Sequence, residues 1–530
     1  MPSMKTATLR SLSAAMALAA MLAATGDAAA QKVLRYVPQA NMGTMDPVNN
    51  LSSVTHQHSW RVYDNLFGED TNGNVHPQMV ESFTLSPDGL TYTIKLRAGL
   101  KFHDGSPVRP QDVIPSIQRW AKKDGGGGRL AALDMKLAAV DASTFTLTLR
   151  EPFPATPGVL AYGSTAMYVM REKEATTDAD LPITEVIGSG PFVFNKAEYS
   201  PGNKIVYDKF KDYVPRSEPV SAFAGGRVAK VDRIDVMILP DANTAVAALN
   251  NGEIDMYETP PLDLLPVLKR NPNIKTVVFN KAGALAFVRP NFLHPPFNNP
   301  KARQALMHMV DQEDYMKAAI GSDPANWKVC WAVQVCGTPT ASEAGSEPYR
   351  KADIAKAKQL LIESGYKGEK IVVLVPMDQQ VIRDLAQVTV QKLKDIGANV
   401  EAVATDWGAA LTRGNNKAAP EAGGWHLFHT WTVGQILGSA ISAVHLTAPC
   451  DGTGYRGWLC DPKMEAHLAE WIKVGTLEKR KPVGEKIQRQ AMEMVNYVPL
   501  GQFFQPMAMR TNITGLQETL LPVFWNIEKN

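Results

Sequence analysis

Histidines and cysteines are the side chains of this 530-residue sequence best suited to hold a metal ion. His426 and His429 lie with Trp431 in the aromatic stretch 424–434, GWHLFHTWTVG, and His56 lies far upstream. For His56 and His429, ligand contact or transition-metal capture is one reading. Satisfied core or surface histidines are the other. No spacing here predicts a coordination shell, so no metal site is assigned. Cys330, Cys336, Cys450 and Cys460 lack the C-x-x-C spacing of a zinc site. Catalytic patterns are also missing: there is no H-E-x-x-H, no P-loop and no nucleophile elbow. The run Gly125 to Gly128 has no Gly-Lys-Ser/Thr after it and reads as a flexible surface loop. Gly188-Ser189-Gly190 reads as a turn before a strand at 192–194. Neither an enzyme nor a cofactor is indicated.

The charges nearly cancel, with 55 Lys and Arg against 53 Asp and Glu, and no basic face suggests a nucleic-acid partner. The N-terminus is built for export. Lys5 and Arg10 precede a short apolar run at 12–24, and Ala28-Ala29-Ala30 offers a cleavage site before Gln31. Residues 1–30 are therefore expected to be a cleaved signal peptide. No Cys follows for a lipid anchor, and the expected location is a bacterial periplasm. The even cysteine count then favours disulfides, and proximity suggests Cys330–Cys336 and Cys450–Cys460, one of three possible connectivities.

The elements that would position these residues follow from periodicity. Ile234 to Leu239 reads as a strand, Asp241 as a helix cap, Gly252 as its stop and Ile254 to Met256 as the next strand, a β-α-β unit and hence an α/β protein. Residues 286–288 form a short apolar run leading into a Pro/Asn loop. Asn299 and Pro300 then open a helix, Asp311 caps a second and Gly321 ends it. Strand–helix alternation resumes at 354–403, and strands at 500–505 and 507–511 return the chain.

Four blocks carry a resemblance. They are VYDNLF with ESFTLSPDGLTYTIKLRAGLKFHDGSPV, then VIGSGPFVF, then VDRIDVMILPDANTAVAALNNGEIDM, and finally the stretch 286–321. Together they resemble the peptide/nickel group of extracytoplasmic solute-binding proteins (family 5) over nearly the whole mature chain. The resemblance implies a two-lobed periplasmic-binding-protein fold, type II and cluster C-like, with an extra subdomain in lobe one. The expected division is lobe one at 31–65, the subdomain at 66–194, lobe one again at 195–288, lobe two at 289–506 and a return at 507–530.

It also implies a ligand-facing set. Trp407 and Trp431 match family tryptophans that face ligand, and Thr432, Gly434 and Met42 of the first loop join them. His56 falls where the nickel-binding member presents a ligand-facing side chain. Peptide-binding members hold the substrate ammonium with an Asp where this chain has Gly434. The dipeptide member's Arg and Tyr correspond to Pro376 and Asp378. Asp378 could favour a cationic ligand, or could cap a helix at the surface. The implied function is capture of a peptide or amino-acid-derived solute between two lobes, for delivery to an ABC permease. The alternatives are a metal chelate or organic cation, or a chemosensory receptor on the same fold. The expected state is a monomer that meets the membrane only through its permease.

Overall fold

The computed structural model describes residues 31–48, 52–161, 166–440, 443–474 and 476–530. The expected signal peptide lies outside them. Two mixed sheets organise the chain. The first has seven strands in the order Ile274–Val277, Met507–Arg510, Met256–Tyr257, Val33–Val37, Arg233–Met237, Lys204–Lys209 and Phe192–Phe194. The second has six, in the order Trp327–Lys328, Val498–Phe503, Ala284–Pro290, Leu427–Val433, Ile371–Pro376 and Val400–Thr405. Each sheet centres its own lobe and its own main hydrophobic core. The β-α-β unit forms as read: Asp241 accepts from the Thr244 N–H, and Gly252 ends the helix Ala242–Asn251 at φ +78°. Asn299 and Asp311 likewise cap their helices.

A third, antiparallel sheet of four strands, Val80–Leu85, Thr91–Leu96, Thr144–Thr148 and Lys136–Ala139, shares the lobe-one core. Buried Ile94, Phe145 and Leu147 of this sheet and Leu34, Tyr36 and Ile234 of the large sheet belong to one continuous apolar cluster.

The lobes are joined where strands cross between sheets. Ile274–Val277 pairs antiparallel with Met507–Arg510 in lobe one, and Ala284–Pro290 pairs antiparallel with Val498–Phe503 in lobe two. The links are therefore residues 278–283 on one strand and 504–506 on the other. Three expectations shift accordingly. The apolar run at 286–288, expected to end the lobe-one span, is the middle of a strand buried at every position in lobe two. The strand expected at 500–505 on the return to lobe one is 498–503 and lies in lobe two's sheet, inside the span 289–506 expected for that lobe. Phe192–Phe194 pairs with Lys204–Lys209 in lobe one, inside the span expected for the extra subdomain.

The glycine run is not a loop. Residues Gly125–Ala132 form a helix whose cap, Asp124, accepts from the Gly127 N–H at 2.9 Å. A Cβ on Gly127 would lie 2.7 Å from the Ala121 Cα and 2.8 Å from the Trp120 ring. Close packing on the helix Pro110–Ala121 thus outweighs the poor helix propensity of glycine. Gly188 is explained in the same way: its Cβ would meet the Val62 carbonyl oxygen at 1.9 Å, where the GSG segment lies against the end of helix Ser53–Val62.

A buried ion pair ties the first loop to the subdomain. Arg119 grips Asp46 through both terminal nitrogens, at 3.0 and 2.7 Å, with both side chains almost fully buried. The cysteines pair as Cys330–Cys336 and Cys450–Cys460, each closing a short loop in lobe two. Among the described residues, no helix is long and apolar enough to cross a membrane.

Candidate functional site: the interlobe cleft

Strands Ile371–Pro376 and Val400–Thr405 run parallel, so their carboxyl ends open together at one edge of lobe two. In open α/β sheets this is where ligands are received. Trp407 stands there at the head of helix Trp407–Gly414, half-buried and tilted against Phe428 at 5.7 Å between centroids. Asp378 is exposed beside it and accepts a hydrogen bond from the Trp407 backbone N–H at 2.8 Å. The structure brings this pair together.

Trp431 is 38% exposed and meets Phe503 edge-on. Its neighbour Thr432 points inward, with its hydroxyl 3.1 Å from His445 Nε2. Gly434 donates its N–H to the Gly283 carbonyl at 2.7 Å. A Cβ at Gly434 would lie 2.5 Å from the Ala282 carbonyl oxygen and 2.9 Å from Val335, so this position has no room for a side chain. The missing carboxylate is therefore enforced by the interlobe link packed against it. Met42 is buried within lobe one, beside Tyr36, Gln57 and Arg61.

The two histidine expectations are corrected by burial. His56 is 2% exposed, stacks on Tyr168 and is pushed down to about 4 by desolvation. His429 is 1% exposed, has Nε2 2.7 Å from the Thr389 hydroxyl and is pushed down to about 3 by the same cause. They are buried on elements of different lobes, helix Ser53–Val62 and strand Leu427–Val433.

Two hollows open between the lobes. One, of about 420 Å³, lies between helix Leu265–Lys269 of lobe one and residues 318–323 of lobe two, where Lys269 and Asp323 approach to 3.6 Å. The other, of about 260 Å³, has five charged side chains on its wall against three in the first. Lobe one and its subdomain contribute Glu69, Asp70 and Phe223, and lobe two contributes Thr338, Trp471 and Arg480. Lys281 and Glu518, also on its wall, form an ion pair with each other at 2.5 Å.

Glu69 ends the strand Phe67–Glu69, and the turn after it is built on Asp70. The Asp70 carboxylate accepts from the backbone of Asn72 and Asn74 and lies 2.9 Å from His76 Nε2. Burial raises this group, but the hydrogen bonds from His76 and Asn74 outweigh it and hold Asp70 below the usual range. Glu69 has no such partners and is pushed up to about 7 by burial, against the pull of Arg480 and with a further push from Asp70. Arg480 lies in the first turns of helix Leu477–Met494 and donates Nε–H to the Val474 carbonyl at 3.2 Å. Burial lowers it, and Glu69 acts in the opposite sense. Neither residue could be picked out from the sequence: Glu69 follows a common motif, and Arg480 sits in the charged run LEKRKP, which reads as a solvated helix face.

A two-lobed α/β molecule with two strands crossing between its sheets and a polar hollow between its lobes has the build of a periplasmic binding protein. The profile of the family described as bacterial extracellular solute-binding proteins, family 5, middle region, matches residues 74–441. The chain belongs to that family, a family of extracytoplasmic binders. It is 37% identical over 519 residues, 97% of each chain, to a probable peptide ABC transporter periplasmic-binding protein of Sinorhizobium fredii. It is 28% identical to the glutathione-binding protein of Salmonella typhimurium over 79% of this chain and 78% of that relative. Its fold superposes on the ABC transporter substrate-binding protein CtaP of Listeria monocytogenes with a TM-score of 0.77 at 22% identity, covering 94% of this chain and 99% of that one.

Proposed function

We propose that this protein is the substrate-binding subunit of an ABC importer and that its cargo is a peptide. One observation carries the reading: end-to-end similarity, without insertions of domain size, to a relative named as a probable peptide-transport binding protein. The interlobe hollow is the place for the cargo, and rotation about the two links would close the lobes over it. Closure would shift the population toward the form a permease engages. Export through a cleaved segment at 1–30, periplasmic residence and a monomeric state complete the reading. Trp407, Asp378 and Trp431 line neither hollow, and their part in the reading rests on the family resemblance alone. Buried His56 and His429 lend nothing to a metal-chelate cargo.

The test is native mass spectrometry of protein purified gently from periplasm, with release and sequencing of whatever is bound. A co-purifying peptide, or a peptide that binds after addition and raises the melting temperature, is the expected result. Binding of only non-peptide solutes would reject the reading.

A further inference from the structure

The 260 Å³ hollow is lined by five charged side chains, Glu69, Asp70, Lys281, Arg480 and Glu518. Three of them are occupied: Lys281 with Glu518, and Asp70 with its own turn and His76. The other two are of opposite sign and stand on opposite lobes. Glu69 comes from lobe one, with no hydrogen bond or ion pair to its carboxylate among the described residues, and Arg480 comes from lobe two, with only a carbonyl on Nε. Trp471, on the same wall and 2% exposed, has an indole N–H without an acceptor, and the Arg480 guanidinium lies 5.9 Å from its ring centre. A half-buried carboxylate without a partner favours a cation, and a half-buried guanidinium beside a free N–H donor favours an anion. The two groups attract each other across the hollow but form no salt bridge among the described residues.

Resting on the peptide-import reading above, we infer that this hollow is a dipolar site for a short peptide with free ends. Glu69 receives the ammonium, and Arg480, with the Trp471 N–H, receives the carboxylate. The volume lies just below the roughly 300–1,000 Å³ of drug-sized ligand sites, which restricts the cargo to a few residues. The site supplies on two lobes the pair of charges that Gly434 and Pro376 cannot supply on one. Because the poles lie on different lobes, only a ligand long enough to touch both gains from closure.

The test uses three pools of mixed di- and tripeptides: free, N-acetylated and C-amidated. Each is offered to the purified protein and read by native mass spectrometry, followed by calorimetry on the captured peptide. The free pool is expected to be retained at least tenfold better than either blocked pool. This comparison uses the unaltered chain and does not depend on a variant folding. In Glu69→Gln the preference against N-acetylation should vanish, and in Arg480→Met the preference against amidation. Arg480→Lys should recover part of the latter, and melting curves check that each variant is folded. Peptides captured equally from all pools, or selectivity unchanged in both variants, would overturn the dipolar site and leave peptide import standing. Capture from no pool would overturn both.

Discussion

The carboxylate of Asp378 accepts the backbone N–H of Trp407 at 2.8 Å, and so links the segments that follow two parallel strands of lobe two. Pro376 and Thr405 face each other in that register, and the chain turns outward from both. An exposed acid here could serve the fold or attract a cation. The Asp378→Asn variant separates the two roles, because an amide oxygen can still accept from Trp407 but carries no charge. The hydrogen bond predicts that Asp378→Asn keeps wild-type stability and tryptophan fluorescence, while Asp378→Ala loses about 1 kcal/mol. Weaker ligand binding in Asp378→Asn at unchanged stability would assign the charge to the cargo instead.

Gly434 yields a second prediction. Introducing the family's carboxylate by Gly434→Asp would drive a Cβ to within 2.5 Å of the Ala282 carbonyl, on the link between the lobes. We expect the variant to lose at least about 2 kcal/mol in urea denaturation, and to gain no affinity for peptide ammonium groups. A stable Gly434→Asp protein would show that the link can shift aside.

The Arg119–Asp46 pair gives a third. Both partners are nearly solvent-free, so removing the cation strands a buried carboxylate. Arg119→Met should destabilise the protein by about 3–5 kcal/mol, read as a lowered urea midpoint. Replacing both residues with apolar ones should recover only part of the loss, because Arg119 also donates to the Thr177, Asp178 and Leu181 carbonyls and Asp46 accepts the Val48 and Ile183 N–H groups. Equal losses in the single and double variants would contradict this account.

The fourth concerns pH. Glu69 is raised from 4.5 to about 7 by burial, with Asp70 and Arg480 the charged groups that act on it. Below pH 4.5 it is protonated in both folded and unfolded chains and has no effect. As pH rises through that value to 7, the unfolded chain ionises first and stability falls. Above pH 7 the full penalty stands, on the order of 3 kcal/mol. Glu69→Gln should therefore match the wild type at pH 4.5 and exceed it progressively up to pH 8, in urea titrations of the ligand-free protein. A difference independent of pH would mean that Glu69 titrates alike in the folded and unfolded chains, and a wild type that gains on the variant as pH rises would mean that Glu69 is paired in solution.

Much of the architecture was legible in the sequence because local chemistry and tertiary packing agree there. Asp241, Asn299 and Asp311 cap helices with their own side chains, and Gly252 ends one with a left-handed turn that favours glycine. The reading failed where long-range packing decided the outcome. The glycines at 125–128 read as loop until Trp120 and Ala121 lie against them, and the strand at 284–290 cannot reveal which sheet it will enter. The site was less legible for the same reason. His56 and His429 have the right chemistry, but burial removes them, whereas Glu69 and Arg480 are ordinary charges until the fold sets them across a shared hollow.

The two links between the lobes are unequal, six residues at 278–283 against three at 504–506. Three residues reach about 10 Å when fully extended, and Phe504 is further held by its N–H on the Asn326 carbonyl at 2.7 Å. The short link is thus a fulcrum that cannot stretch, and the lobes cannot simply part. Any gape must be an angle opened about 504–506, so displacement grows with distance from that point. Side chains near the fulcrum, such as Gln505, would move least in such an opening, and those far out on the lobes would sweep the widest arc.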